Sequence, residues 1–155
     1  MLKIIITDNK RCVACKTCEL ECAMAHGEFD TLAEAAAAGT PPQRRIRIEQ
    51  RKGRAVIVLC RHCKPAPCIE ACPQDAITRA DADSPVVLDE ELCVGCGACV
   101  EVCPFGGIEM STDGKVAMKC DLCAARTVKG ELPACVAGCP TQALEYRAPG
   151  KKVKK

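Results

Sequence analysis

Sixteen of the 155 residues are cysteine, and they fall into four groups of four. Cys12, Cys15, Cys18 and Cys22 are separated by two, two and three residues, and Cys93, Cys96, Cys99 and Cys103 repeat those intervals. Cys60, Cys63, Cys68 and Cys72 lengthen the middle interval to four residues, and Cys120, Cys123, Cys135 and Cys139 lengthen it to eleven. Every group keeps a Cys-x-x-Cys start and a Cys-x-x-x-Cys finish, and the last three are followed by Pro73, Pro104 and Pro140. Short repeated loops of soft thiolate donors, closed by a proline, are the ligand pattern of iron-sulfur cubanes. Four such loops predict four 4Fe-4S clusters, with all sixteen cysteines as metal ligands.

Two other uses of cysteine fit the chain poorly. A disulfide scaffold needs an oxidising compartment, whereas MLKIIITDNK shows no apolar h-region, twin arginine or cleavage site, and no stretch is apolar enough to span a bilayer. A cytoplasmic location is therefore expected. Zinc ribbons use paired Cys-x-x-Cys, but they require neither a third cysteine at short spacing nor a proline after the fourth.

Composition explains why metal is needed. Hydrophobic residues reach 48%, but that class contains every cysteine, and the aromatics are only Phe29, Phe105 and Tyr146. At roughly 25 cal/mol per Å² of apolar burial, short runs of Ala, Val, Ile and Leu barely offset the entropy of ordering the chain. The clusters must serve as core, so metal binding is expected to supply folding free energy. The formal charge of +2 counts cysteine as neutral; clusters of about −2 each bring the loaded chain to about −6. That charge, with the lack of stacking aromatics, speaks against a nucleic-acid partner. Lys151, Lys152, Lys154 and Lys155 read as a solvated basic tail.

Along the chain, helices are expected at Lys16 to Ala25, Pro67 to Ala71 and Gly97 to Val102, each returning a last cysteine toward a cluster. Strands are expected at Lys3 to Thr7, Ala55 to Leu59, Ile77 to Arg79, Val86 to Leu88, Lys115 to Met118 and Ala143 to Tyr146. The fold class is α+β, two ferredoxin-like modules of short strands and helices wrapped around the clusters. The twenty residues between the second and third groups make residues 55–111 a central module. It is inserted into an outer module formed by residues 1–26 and 112–148. Residues 27–54 form an insertion with a short helix and a strand, and residues 149–155 the tail. In the insertion, Thr31 and Glu34 make a capping-box pattern before LAEAAAA, which Gly39 and Pro41-Pro42 stop.

Complete thiolate ligation argues for electron carriage over catalysis, because it leaves no open position for a substrate. No Ser/His/Asp set, phosphate loop or dinucleotide fingerprint is present, and no catalytic residue is expected. Arg11, Lys16, Arg61, Lys64 and Lys119 lie beside ligands and are expected to be mostly solvated, with weak effects on potential. His62, between two ligands, is placed to hydrogen-bond a cluster sulfur; His26, after the first helix, reads as a cap or surface group.

With its four runs in this order, the chain from about Ile4 to Tyr146 resembles the four-cluster electron-transfer subunits of molybdenum, tungsten and hydrogenase-linked enzymes. These include the small subunits of dimethyl sulfoxide reductase, formate dehydrogenase, carbon monoxide dehydrogenase and tungsten aldehyde oxidoreductase complexes. The opening run CVACKTCELECAMAH is most similar to the membrane-free branch associated with carbon monoxide dehydrogenase and aldehyde oxidoreductases. The resemblance implies crossed ligation: Cys12, Cys15, Cys18 with Cys139; Cys120, Cys123, Cys135 with Cys22; Cys60, Cys63, Cys68 with Cys103; and Cys93, Cys96, Cys99 with Cys72. It implies a large catalytic oxidoreductase subunit as one partner, tungsten or molybdenum aldehyde oxidoreductase foremost, and a second redox protein or flavin subunit as the other. A freely diffusing polyferredoxin is the competing reading. Two ends also allow self-association into an open chain, with the alanine-rich Leu32 to Ala38 as candidate contact.

Overall fold

The computed structural model describes residues 1–39 and 43–150. The Pro41-Pro42 stop and the lysine tail expected from sequence lie outside the described residues. In chain order the elements are β1 (Ile4–Thr7), α1 (Thr17–Ala25), α2 (Leu32–Ala37), β2 (Ile46–Arg51), β3 (Arg54–Leu59), α3 (Pro67–Glu70) and β4 (Ile77–Thr78). They continue with β5 (Val87–Leu88), α4 (Ala98–Glu101), β6 (Ile108–Met110), β7 (Ala117–Lys119), α5 (Ala124–Thr127), α6 (Ala134–Ala137) and β8 (Leu144–Arg147). Apart from α1 each is six residues or shorter. The architecture is a small α+β fold of the ferredoxin-like 4Fe-4S kind.

The strands form four two-stranded antiparallel sheets, β1–β8, β2–β3, β4–β5 and β6–β7. Pairing of Ile5 with Tyr146 and of Thr7 with Leu144 joins the two ends of the described chain. The β2–β3 hairpin turns through Lys52 and Gly53, both with positive φ, the geometry that a tight two-residue connection needs. Ile46, Ile48, Ile57 and Leu59 share one buried face, as the two-residue period of a strand dictates, and Val58 on the other face of β3 is buried as well.

Two hydrophobic clusters result. One gathers Ile5, Ile46, Ile48, Ile57, Leu59 and Leu144 around Cys18, Cys22, Cys60, Cys120 and Cys135. The other gathers Ile77, Val86, Ile108 and Ala117 around Cys99, with Cys68, Cys72, Cys93 and Cys103 packed against it. Both are thin layers of aliphatic residues interrupted by thiols, as the composition requires.

Several elements differ from the sequence reading. The strand expected to start at Lys115 starts at Ala117, because residues 111–116 close a turn in which the amide of Gly114 donates to the carbonyl of Ser111 and that of Ser111 to the carbonyl of Val116, both at 2.8 Å. Its partner β6 is too short for hydrophobic periodicity to reveal, and so are the single-turn helices α5 and α6. The insertion helix forms where expected: Thr31 Oγ1 accepts from the Glu34 amide, and the Glu34 carboxylate accepts from the Thr31 amide.

Candidate metal centres

The four cysteine runs share one backbone device. In each, the residue before the second cysteine is left-handed: Ala14, His62, Gly95 and Leu122. Only Gly95 adopts this without penalty; the others store about 1–3 kcal/mol apiece. Such curls aim successive N–H groups into a concave loop suited to anionic sulfur. A second device follows the Cys-Pro closures, where the third residue after the last cysteine is left-handed at Asp75, Gly106 and Gln142. After it, the amide of Gly107 donates to Cys103 Sγ and that of Ala143 to Cys139 Sγ, each at 3.3 Å. Cys22 has no following proline and no such turn. Its Sγ instead accepts from the amide of Arg45 at 3.3 Å, twenty-three residues onward, so the insertion returns to close this site. Further N–H donors reach Cys60 from His62, Cys93 from Ala117 and Cys120 from Leu122, all at 3.4 Å.

Thiols from distant runs stand together. Burial pushes the Cys18 thiol up to about 12, aided by Glu19 and by the neighbouring Cys12 and Cys139. Cys68 is pushed up to about 11 by burial and by Cys60 and Cys103, although Lys119 opposes the shift. Cys99 is raised by burial, then by Cys93, Cys96 and Cys72. Cys135 is raised by burial, then by Cys120, Cys22, Cys123 and Cys18. Cys12, Cys15, Cys18 and Cys139 line one space with Ile48, Ile57 and Leu144. Cys72, Cys93, Cys96 and Cys99 line another with Ile77, Leu88 and Ala117.

Four ionisable residues near the thiols have surroundings that their places in the sequence do not reveal. His26 is the C-cap of α1, one of the two roles read for it, and not a surface group: its Nε2 lies 2.9 Å from Asp121 Oδ1 and its Nδ1 2.8 Å from the Cys22 carbonyl oxygen. Burial opposes its charge, but the bonds to Asp121 and Cys22 outweigh that and raise its pKa to about 10. Asp121, which nothing in the sequence singled out, also takes Arg45 at 3.2 Å and the Cys123 amide at 2.9 Å. Burial opposes its ionisation, yet these partners hold it well below the usual carboxylate range. His62 is 3% exposed, and its Nδ1 accepts from the Val86 amide at 3.1 Å. Burial first, then Lys119 and Arg79, depress its pKa to about 3, so the ring is neutral with its proton on Nε2. Lys119, expected to be solvated, is 3% exposed; Arg11, Lys16 and Lys64 are exposed as expected.

These residues fit 4Fe-4S clusters. Thiols crowded and buried so that each raises the next cannot all ionise unless a cationic centre offsets their charge. Six backbone N–H groups already point at sulfur to accept part of it. Among the described residues no three His, Cys, Asp or Glu side chains are set closely enough to hold a single metal ion; the thiols are spread around larger spaces.

The 4Fe-4S dicluster domain model matches residues 55–148. An "Iron-sulfur protein" of Rhodospirillum rubrum is 40% identical over 153 residues, covering 91% of this chain and 80% of that one. The "Putative electron transport protein YsaA" of Escherichia coli (strain K12) is 38% identical, covering 94% and 89%. The "Thiosulfate reductase electron transfer subunit PhsB" of Salmonella typhi is 35% identical, covering 92% and 74%.

Proposed function

Because the chain belongs to the 4Fe-4S dicluster domain family of ferredoxin-type, non-catalytic electron-transfer subunits, we propose that it holds four clusters in one row and conducts electrons along it. A catalytic oxidoreductase subunit docks at one end of the row and a second redox partner at the other. The ligand sets are Cys12, Cys15, Cys18, Cys139; Cys22, Cys120, Cys123, Cys135; Cys60, Cys63, Cys68, Cys103; and Cys72, Cys93, Cys96, Cys99.

The observation that carries this reading is that the last thiol of each run stands beside those of another run: Cys139 by Cys18, Cys22 by Cys135, Cys103 by Cys68 and Cys72 by Cys99. The electrostatic influence of Cys18 on Cys135 and of Cys60 on Cys120 supports a linear order, with the sets of the first and third runs at the ends. The same neighbours support a central module nested in an outer one.

Each bound cluster supplies a one-electron store; the protein decides how readily it fills and who can reach it. Backbone N–H groups aimed at Sγ stabilise the negative charge that arrives with an electron. Aliphatic residues such as Ile48, Ile57 and Leu144 exclude water from the first set, and Ile77 and Leu88 from the last. The two exposed cysteines, Cys15 and Cys96, belong to the two end sets. Beside them Val13 and Val94 are 65% and 63% exposed, at equivalent places in their loops. Apolar side chains beside each exit favour docked partners at both ends over a freely diffusing polyferredoxin.

The opening run supports tungsten or molybdenum aldehyde oxidoreductase as the catalytic partner, with carbon monoxide dehydrogenase, formate dehydrogenase and hydrogenase sharing the pattern. PhsB, named as the electron transfer subunit of a thiosulfate reductase, supports such a pairing in kind. A cytoplasmic location is part of the proposal; among the described residues no helix is long and apolar enough to cross a membrane.

Metal analysis of the anaerobically purified chain tests the count. About sixteen irons without stoichiometric zinc are expected, and fewer than about twelve would overturn it. Purification of the native complex with tungsten and molybdenum analysis of its large subunit tests the partner: a chain that purifies alone, with neither metal, would favour the diffusing carrier.

A further inference from the structure

Lys119 ends β7 almost wholly buried, with its Nζ donating to the carbonyl oxygens of Val86 and Cys120. Among the described residues it makes no ion pair with a carboxylate. Its two carbonyl partners belong one to each hydrophobic cluster, Val86 to the one against which Cys68 and Cys103 pack and Cys120 to the other, so the ammonium sits at their junction. A buried ammonium held only by carbonyl dipoles is costly unless anions stand nearby, and on the ligand sets proposed above those anions are the two inner clusters. A second cation lies on the same side. The Arg79 guanidinium donates through Nη2 to the carbonyl oxygen of His62, the residue before Cys63, at 2.7 Å. Its Nε and the Nε2 of His62 are buried donors without a protein acceptor. The end sets differ. The space of the Cys12, Cys15, Cys18 and Cys139 set is lined by one cationic side chain, the exposed Lys16, and that of the Cys72, Cys93, Cys96 and Cys99 set by none.

We propose that Lys119, assisted by Arg79, makes the two inner sites the most easily reduced section of the row. A positive charge fixed between two redox centres stabilises the electron on either of them, and burial keeps solvent and salt from screening it. Electrons delivered at either end then collect in the middle, where the chain stores up to two of them and exchange with each partner is buffered. The end sites stay mostly oxidised, ready to accept from one partner or to pass charge to the other.

Redox titration of the reconstituted full-length chain, followed by electron paramagnetic resonance, tests this. Cys15→Ser and Cys96→Ser identify the signals of the end sites. In the unsubstituted protein the two highest-potential steps should belong to signals that neither substitution alters. Lys119→Gln should lower both inner steps, with the reduced-to-oxidised ratio at the original midpoint falling at least tenfold, about 59 mV for one electron. Lys119→Arg should restore them, and Arg79→Gln should lower only the inner site that contains Cys63. Unchanged inner potentials in Lys119→Gln with a full complement of iron, or end sites that reduce first in the unsubstituted chain, would overturn the proposal. Should Lys119→Gln fail to take up iron, the order of potentials in the unsubstituted chain and the response of Arg79→Gln decide. Iron content separates the two levels of inference: fewer than about twelve irons in the unsubstituted chain counts against the ligand sets, whereas a full complement with the wrong order counts against Lys119 alone.

Discussion

A residue in this protein is constrained less by what it packs against than by what the backbone must do around a sulfur. Gly107 illustrates this. A Cβ there would lie 2.6 Å from the backbone nitrogen of Cys60 and the carbonyl carbon of Leu59, and neither can move without shifting the second run. Its amide also binds Cys103 Sγ. Gly107→Ala is therefore expected to reduce iron content by about one cluster, or about four irons, because Cys103 is displaced from Cys60, Cys63 and Cys68. Gly114 is the control. Its φ is +71° but nothing lies within 4 Å of its added Cβ, so Gly114→Ala should cost about 1 kcal/mol of conformational strain and leave the iron count intact. Iron analysis and thermal unfolding of both variants would separate steric from conformational causes. Equal iron in the two would refute the Gly107 argument.

At the scale of elements, α1 shows why short helices suffice. Cys18 and Cys22 are one turn apart on it, both buried, yet their thiol neighbours differ: Cys12 and Cys139 for the first, Cys120 and Cys135 for the second. On the proposed ligand sets, a single helical turn spans two centres. Cys22→Ser should alter the cluster signal of the Cys120, Cys123 and Cys135 set and spare that of Cys12, Cys15 and Cys18. Change confined to the latter would show that ligation is not crossed. The α2 helix behaves differently. It is exposed except at Ala35, and its start is fixed by the Thr31–Glu34 capping box. Thr31→Ala removes the side-chain acceptor at a cost of about 1 kcal/mol. Amide exchange should speed up within Leu32 to Ala37 while iron content stays constant; loss of iron would show that the helix supports the metal sites.

For the whole molecule, stability follows from the thin cores. Two aliphatic clusters carry thiols in their centres, and burial pushes several of those thiols upward. Without metal each site would hold protonated thiols around empty space. Anaerobic chelation of iron should therefore abolish the native circular dichroism, and a metal-free chain that kept it would contradict the idea that the clusters are the core.

What the sequence determined by itself is local. The candidate thiols, the spacing of each loop, the Cys-Pro closures and the capped α2 helix all depend on residues within a few positions of one another. Spacing and turn chemistry express that directly. The relationships decided only in three dimensions join distant segments: β1 with β8, Arg45 with Cys22, His26 with Asp121, and Lys119 with Val86. Lys119 looked like any basic residue beside a ligand, because adjacency along a chain says nothing about dielectric surroundings. Its burial depends on β7 pairing with β6, a three-residue strand too short to leave a periodic signal. The sequence could supply the candidate thiols; only packing could bury a charge against the carbonyls of Val86 and Cys120.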